Sequence, residues 1–194
     1  MAVNLTRIYT RTGDAGETRL GDNSTTSKTD PRLAAYGEVD EANSAIGVAI
    51  AAGHLNSALV VLLTRIQNDL FDVGADLCNP ITPNPEYPPL RITQEYVDRL
   101  EDWCDDYNGR LTKLRSFVLP GGTEGAAHLN VARTVVRRAE RAGWTAVEAH
   151  GPSVNLLAIK YLNRLSDLLF ILGRVANLSS GGDVLWVPGG ERTP

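Results

Sequence analysis

The chain has 194 residues, 43% of them hydrophobic, and its formal net charge is -4 at pH 7. That length suits one globular core better than two, so we expect a single domain over residues 1–194. The acidic balance excludes a general nucleic-acid binder, which would carry a basic excess.

The sequence offers no targeting pattern and no metal-ligand spacing. Residues 1–8 lack the apolar core of a secretory signal, and residues 154–178 are interrupted by charged and amide side chains that a membrane span rarely carries. The two cysteines form no CxxC pair and the three histidines form no HExxH, so we expect no metal site built by the protein. These patterns predict a cytoplasmic protein with neither nucleic-acid nor membrane partners.

The first segment, residues 1–29, contains the stretch "RIYTRTGDAGETRLGD" at residues 7–22. Gly13 and Gly16 permit backbone conformations that expose N–H groups, while threonine hydroxyls and arginines add donors and charge. This composition is typical of an irregular loop that cradles an anion. A partner chain or plain solvent would suit it as well, because mobile terminal loops also favour glycine and threonine.

Helical periodicity follows this segment and predicts an all-α protein, a five-helix bundle over residues 30–178. Asp30 suits the N-cap position and Pro31 the first turn of a helix that we expect to end near Gly53. A second helix carries the apolar stripe of residues 55–77, and five prolines within residues 79–89 predict a loop. The other predicted helices cover 93–111, run from near 123 to about 147, and begin at Ser153. Residues 179–194 are a tail, in which we expect residues 184–187 to pack on the bundle.

The fourth predicted helix carries four arginines within nine residues. Arg133, Arg137 and Arg141 follow one side of this helix, and Glu140 lies beside the first two. Such arginines repel one another unless water, salt or a fixed anion compensates. A solvated surface would explain the stripe, but the planar fork of arginine also suits phosphate oxygens, and a triphosphate would fit it.

The fifth predicted helix contains Asn163, Asp167 and Phe170 at a spacing that places them on one face. An amide and a carboxylate on an apolar helix need partners if they are buried. A salt bridge to an arginine of the fourth helix is one explanation, and a ligand contact is the other.

Taken together, these stretches resemble the PduO-type ATP:cob(I)alamin adenosyltransferases over Arg7 to about Ala176. The motifs that carry the resemblance, in order, are "RIYTRTGDAGETRLGD", Lys28, "YGEVDEANSAIG", "FVLPGG", "RTVVRRAER" and "LNRLSDLLF". Members of that family are five-helix bundles that assemble as homotrimers with each active site between two subunits. They transfer the 5′-deoxyadenosyl group of ATP to the cobalt of reduced cobalamin and release triphosphate. The resemblance therefore implies ATP and cobalamin as substrates, with Mg²⁺ bound mainly through the ATP phosphates.

The resemblance also assigns residues to the two substrates. Those expected around the ATP phosphates are Thr10, Arg11, Thr12, Gly13, Thr18, Arg19 and Lys28. Further ATP contacts are expected from Arg137, Arg138, Glu140, Arg141 and Asn163, with Arg137 easing the departure of triphosphate. Phe117 and Phe170 resemble aromatic residues on the lower face of the corrin, and Asp167 resembles a carboxylate that organises that pocket. Arg133 resembles an arginine that pairs across the subunit interface with an aspartate, here Asp40.

One position departs from the family pattern, since Arg11 stands where a lysine is usual, and a forked donor there replaces a point charge. Two other functions also remain open at the level of sequence. An ATP-dependent phosphotransferase would use the same anion-binding features, and a non-catalytic helical interaction module would use the arginine stripe to bind a partner. A reductase and an adenosylcobalamin-dependent acceptor enzyme are the expected protein partners of an adenosyltransferase.

Overall fold

The computed structural model describes residues 9–85 and 87–191. Residues 1–8 of the N-terminal segment and residues 192–194 of the tail lie outside these ranges. The outer limits of the single domain therefore stay predictions.

Five α-helices and one small hairpin make up the described fold. The hairpin pairs strand β1 (Glu17–Arg19) with strand β2 (Thr25–Ser27), and the helices are α1 (Pro31–Ala52), α2 (Ser57–Cys78), α3 (Gln94–Asn108), α4 (Glu124–His150) and α5 (Leu156–Asn177). The predicted all-α five-helix bundle is confirmed. The hairpin was not expected, because each strand has only 3 residues and buries little. No described helix has the length and apolar character that would let it cross a bilayer.

The helix ends follow local capping chemistry. Asp30 caps α1 as predicted, since its Oδ1 accepts a hydrogen bond from the Arg32 amide at 2.8 Å. The predicted start of the fifth helix at Ser153 is wrong, because Gly151–Ser153 form a 3-10 turn and Asn155 caps α5 instead. Helix α3 ends at Asn108, earlier than predicted, because the amides of Arg110 and Leu111 donate three residues back, to Tyr107 and Asn108, and no longer four residues back. Helix α4 runs on to His150, beyond its predicted end.

The core lies where α4 packs between α1 and α5, with α2 on the other side of α1 and α3 against α5. Helices α1 and α4 each bury alanines at intervals of seven residues: Ala35, Ala42 and Ala49 on α1, and Ala132, Ala139 and Ala146 on α4. Small side chains at this spacing let two helices approach closely along one stripe. Their arrangement leaves the arginines of α4 on a different face from the core.

Asp30 connects the hairpin to the bundle. Its Oδ2 accepts a hydrogen bond from the Thr26 hydroxyl of β2 at 2.7 Å, and its Oδ1 lies 2.7 Å from Nε2 of His150 at the end of α4. A second tie is made by Gly21, whose amide donates to the carbonyl of Cys78 at 3.0 Å. The N-terminal segment is therefore held against one end of the bundle.

The tail lies beside the loop that precedes α4. Val118 and Leu185 form an antiparallel bridge, and residues 184–187 keep between 39% and 47% of their surface exposed. The expectation that they pack on the bundle is therefore corrected. Backbone pairing with another loop holds these residues, so their apolar side chains remain at the surface.

Candidate active site

The hairpin and the residues before it enclose a pocket of about 600 Å³. All seven residues that the sequence assigned to the ATP phosphates in this segment line it: Thr10, Arg11, Thr12, Gly13, Thr18, Arg19 and Lys28. The strand register places Thr18 opposite Thr26 and Arg19 opposite Thr25, which brings the two ends of the segment together. The structure thus gathers this predicted set around one cavity.

Gly13 lets the loop fold tightly under Lys28. A Cβ atom at Gly13 would lie 2.9 Å from Lys28 Nζ and 2.9 Å from the carbonyl oxygen of Glu17, closer than real contacts allow. The loop is closed by two backbone hydrogen bonds, from the Gly16 amide to Gly13 and from the Lys28 amide to Gly16. Glycine at residue 13 therefore brings the lysine ammonium directly over the peptide backbone.

The pocket concentrates positive charge that the described protein does not neutralise by ion pairing. Arg11, Arg19 and Lys28 form no ion pair with any residue in ranges 9–85 and 87–191. The Arg11 guanidinium lies 5.5 Å from the centroid of the Tyr9 ring, and its backbone φ of +62° is unusual for a residue other than glycine. Two carboxylates, Asp14 and Glu17, also line the pocket, so the three cations leave it with an excess of one positive charge. Unpaired cations beside threonine hydroxyls suit a ligand with several negative oxygens.

The arginines of α4 differ in how far the bundle engages them. Arg138 donates from Nε to Glu38 at 2.6 Å and from its other arm to Glu41, both on α1. Arg137 and Arg141 are exposed and make no ion pair with the described residues. Burial, followed by the charge of Arg137, lowers the pKa of Arg133. The predicted repulsion along this stripe is therefore present in the fold.

Within one chain, the arginine stripe and the N-terminal pocket lie apart. No residue of α4 lines that pocket. His150 at the end of α4 touches Asp30 beside the hairpin, and Arg137 precedes His150 by 13 residues. A rise of about 1.5 Å per residue places Arg137 roughly 20 Å further along the bundle.

Asp40 and Arg133 make no ion pair with each other within the described chain. Asp40 is exposed and lines a groove of about 520 Å³ between α1 and α2, together with Gly37, Gly74 and Phe71. Phe71 leaves 72% of its surface in solvent. This groove combines a carboxylate with an uncovered apolar surface.

Asn163 on α5 bonds to a residue that the sequence placed in the same nucleotide set. Its Nδ2 donates to Glu140 Oε1 of α4 at 3.0 Å, and its Oδ1 accepts from Arg164 at 2.5 Å. The interhelical partner of Asn163 is thus a glutamate of α4 rather than an arginine. Asp167, in contrast, is exposed. Burial of the Cys104 thiol, followed by the negative charge of Asp167, raises the pKa of that thiol to about 11.

Phe117 is an exposed aromatic residue held by the tail. It is 78% exposed, and its carbonyl accepts a hydrogen bond from the Trp186 amide at 2.8 Å. The Trp186 ring meets the Phe117 ring edge-on, with centroids 6.0 Å apart, while Phe170 on α5 is half-buried. Sequence reasoning missed the contact of Trp186 with Phe117; the short apolar run "VLWV" was the signal that residues 184–187 form a strand-like pairing.

Comparisons with known proteins agree on one family. A family model described as "Cobalamin adenosyltransferase" matches residues 8–176. A corrinoid adenosyltransferase from Mycobacterium tuberculosis is 64% identical over 193 residues, covering 100% of this chain and 99% of that protein. A variant PduO-type ATP:corrinoid adenosyltransferase from Lactobacillus reuteri, complexed with cobalamin and ATP, has a TM-score of 0.84 at 39% identity, covering 93% of this chain and 96% of that one. A second variant from that organism, complexed with ATP, has a TM-score of 0.81 at 38% identity and covers 93% and 100% of the two chains.

Proposed function

Because this chain belongs to the cobalamin adenosyltransferase family, we propose that it transfers the 5′-deoxyadenosyl group of ATP to the cobalt of cob(I)alamin. The observation that carries the proposal is the N-terminal pocket. Its cations Arg11, Arg19 and Lys28 have no ion-pair partner among the described residues, although Asp14 and Glu17 line the same cavity with the threonine hydroxyls. A polyphosphate supplies the negative oxygens that such a site lacks.

The reaction needs no nucleophile from the protein. Cobalt(I) attacks C5′ of ATP with its own electron pair, so a cobalt–carbon bond forms while the bond from C5′ to the phosphate oxygen breaks. That bonding pair leaves with triphosphate, and the cobalt is formally oxidised from Co(I) to Co(III). The task of the protein is to hold the two substrates in line and to stabilise the charge that gathers on triphosphate.

The phosphates would be held from two directions. Thr10, Thr12 and Lys28, with the other residues lining the N-terminal pocket, would bind from one side. The arginine stripe of α4 would bind from the other, where Arg137 and Arg141 are exposed and form no ion pair with the described residues. The match to the family motif gives Arg137 the contact with the leaving group. Glu140 and Asn163, already bonded to each other, would contact the nucleotide as a unit.

The separation within one chain supports a homotrimer with each site between two subunits. Since Arg137 lies roughly 20 Å from the end of the hairpin, the pocket of one chain would meet the arginine stripe of a neighbour. Arg133 would then pair with Asp40 in the groove between α1 and α2, where a carboxylate and the exposed Phe71 suit a covering helix.

Mg²⁺ would be held mainly by the phosphate oxygens of ATP. Among the described residues, no group of three or more histidine, cysteine or acidic side chains is placed to hold a metal ion. Bound to the phosphates, the ion would supply further positive charge to the leaving group.

The corrin would lie against Phe117 and Phe170, with Asp167 organising the pocket. Apolar rings there exclude water and the lower axial ligand of cobalt, which would ease reduction of Co(II) before the transfer. A reductase would supply the electron, and an adenosylcobalamin-dependent enzyme would accept the product. We place the reaction in the cytoplasm, where thiols are kept reduced, because Cys78 and Cys104 form no disulfide.

Product analysis tests the proposal. The purified protein is incubated with ATP, Mg²⁺ and chemically reduced cobalamin, and we expect light-sensitive adenosylcobalamin and triphosphate in equal amounts. ADP or inorganic phosphate as the leaving group would point to a phosphotransferase instead. Absence of ATP and cobalamin binding would point to an interaction module.

A further inference from the structure

The last turn of α5 buries two polar side chains that the reaction described above does not use. Arg174 is 5% exposed and Asn177 is 2% exposed. They are three residues apart and therefore share one side of the helix. The Arg174 side chain bonds to the tail and to the loop before α4, and the Asn177 side chain bonds to that loop. The Asn177 carbonyl accepts a hydrogen bond from Gly182 of the tail.

Arg174 joins two distant segments through one guanidinium group. Its Nε donates to Asp183 Oδ2 at 2.8 Å, and Nη2 donates to the carbonyl oxygen of Thr112 at 2.8 Å. A buried arginine requires such partners, because an unpaired charge in the interior is strongly destabilising. The rigid fork fixes the direction of both contacts, so the position of Asp183 is tied to that of Thr112.

Asn177 holds the other end of the same loop. Its Nδ2 donates to the carbonyl of Gly121 at 3.0 Å, and its Oδ1 accepts from the amide of Thr123 at 2.9 Å. Gly122 has a φ of +104°, and a Cβ atom there would lie 2.2 Å from Asn177 Oδ1. The loop of residues 112–123 is therefore fixed at both ends by α5.

Phe117 lies between these two anchors and has no core packing to orient it, since 78% of its surface is exposed. What orients it is the tail. The Leu119 amide donates to the Val184 carbonyl at 2.8 Å, the Trp186 amide donates to the Phe117 carbonyl at 2.8 Å, and the Trp186 ring rests edge-on against Phe117. This pairing begins immediately after Asp183, the residue that Arg174 holds.

We propose that Arg174 is a positioning residue for Phe117: by anchoring Thr112 and Asp183 together, it sets the pairing that fixes the Phe117 ring. The inference rests on the proposed function, in which that ring faces the corrin. Asp183 and Trp186 lie beyond residues 8–176, the part of the chain that the family model matches. A ring displaced by about 1 Å should weaken the step that depends on it by roughly 10- to 100-fold.

The test is Arg174→Lys, which keeps the charge but cannot donate to both partners from one rigid plane. With ATP bound, Co(II)-cobalamin can lie in the site with or without its lower axial ligand, and its spectrum distinguishes the two forms. We expect the ratio of the form without the ligand to the form with it to be about tenfold lower in Arg174→Lys than in the wild type. The dissociation constant for ATP should stay within about twofold of the wild-type value. The tryptophan fluorescence of the protein should shift, because the edge contact of Trp186 with Phe117 loosens while Trp103 and Trp144 are unchanged.

Two further variants keep the outcome decisive. Arg110→Lys alters an exposed ion pair with Asp106 close to the same loop and should leave all three readouts unchanged. Asp183→Asn preserves the size of the side chain while removing its charge. It should therefore show the effect expected of Arg174→Lys, and it provides the test if Arg174→Lys does not fold. A normal cobalt spectrum, a parallel loss of ATP affinity, or failure of both variants to fold would overturn the inference and make Arg174 a general stabiliser. If the wild type forms no adenosylcobalamin, it is the proposed function that fails.

Discussion

At the scale of single residues, the account depends on which arginines of α4 can turn to a ligand. Arg138 is held by Glu38 and Glu41, and Arg133 is half-buried with Nε 3.3 Å from Asn130 Oδ1. Arg137 is exposed and forms no ion pair with the described residues. Arg141 is equally exposed and forms no ion pair with the described residues, so the match of Arg137 to the family motif is what selects it for the leaving triphosphate.

We predict that Arg137→Ala lowers turnover about 100-fold, comparable with the loss of one donor to a developing charge. The midpoint of thermal unfolding should hardly change, because the side chain contributes no ion pair to the described fold. Steady-state rates of adenosylcobalamin formation, with Arg110→Ala as the exposed-arginine control, provide the measurement. Near-normal turnover in Arg137→Ala would remove this residue from its role.

At the scale of elements, the hairpin is a small structure whose placement depends on Asp30. Its own 3-residue strands supply few hydrogen bonds, and an isolated two-stranded hairpin is at best marginally stable in water. The bonds from Thr26 and the contact with His150 tie it to the bundle. Order in the nucleotide pocket therefore depends on a carboxylate outside the pocket.

We predict that Asp30→Asn destabilises the protein by about 1–2 kcal/mol and weakens ATP binding, while α1 keeps its N-cap because asparagine caps equally well. Chemical denaturation and ATP titration are the measurements. A matched change just after the hairpin is Thr29→Ala, since among the described residues the Thr29 hydroxyl bonds only to Ser27. Unchanged ATP affinity in Asp30→Asn would show that the hairpin is placed without this carboxylate.

The same residue predicts a dependence on pH. Burial would raise the pKa of Asp30, but hydrogen bonds from the Arg32 amide, Thr26 and His150 outweigh it and lower the pKa below its usual value. A carboxyl with a depressed folded pKa stabilises the protein above its unfolded pKa and loses that contribution as pH falls through the folded pKa. The stability gap between wild type and Asp30→Asn should therefore be present at pH 5 and shrink below about pH 4. A gap that does not shrink as the pH falls below about 4 would contradict this.

The helices and the pocket differ in how much of them the sequence predicts. The helices could be predicted because apolar residues recur every three or four positions and because Asp30, Pro31 and Gly53 carry capping chemistry. The seven residues that line the N-terminal pocket could be named together because they match one family motif within residues 10–28, and their contact with phosphate stays a prediction. The buried contacts of Arg174 and the place of Trp186 could not, since they join residues up to 70 positions apart and leave no periodic pattern.

At the scale of the whole molecule, the distance of roughly 20 Å between Arg137 and the hairpin end of the bundle decides the architecture of the site. Within one chain, a nucleotide would have to bridge that separation to contact both halves, which is why we propose a site shared between two chains. A second copy, docked in the groove beside Asp40, can supply the missing half.

We predict that Asp40→Arg breaks the trimer, because it sets two cations against each other at the interface, and that Arg133→Asp does the same with two anions. Combining both changes should restore assembly, because the double variant again has one cation and one anion at these two positions. Close charge pairs across an interface have coupling free energies of about 1.5 kcal/mol or more. Sedimentation velocity gives the mass of each variant. Trimers in both single variants would exclude this ion pair from the interface.

The most direct test mixes two defective chains. Lys28→Ala disables the N-terminal pocket and Arg137→Ala disables the arginine stripe, so each variant alone should be nearly inactive. The two variants are co-expressed in equal amounts so that they form mixed trimers. In roughly a quarter of the interfaces, an intact pocket from an Arg137→Ala chain then meets an intact arginine stripe from a Lys28→Ala chain. We predict that adenosylcobalamin formation recovers to about a quarter of the wild-type rate. No recovery, in trimers verified to contain both chains, would contradict a site shared between subunits.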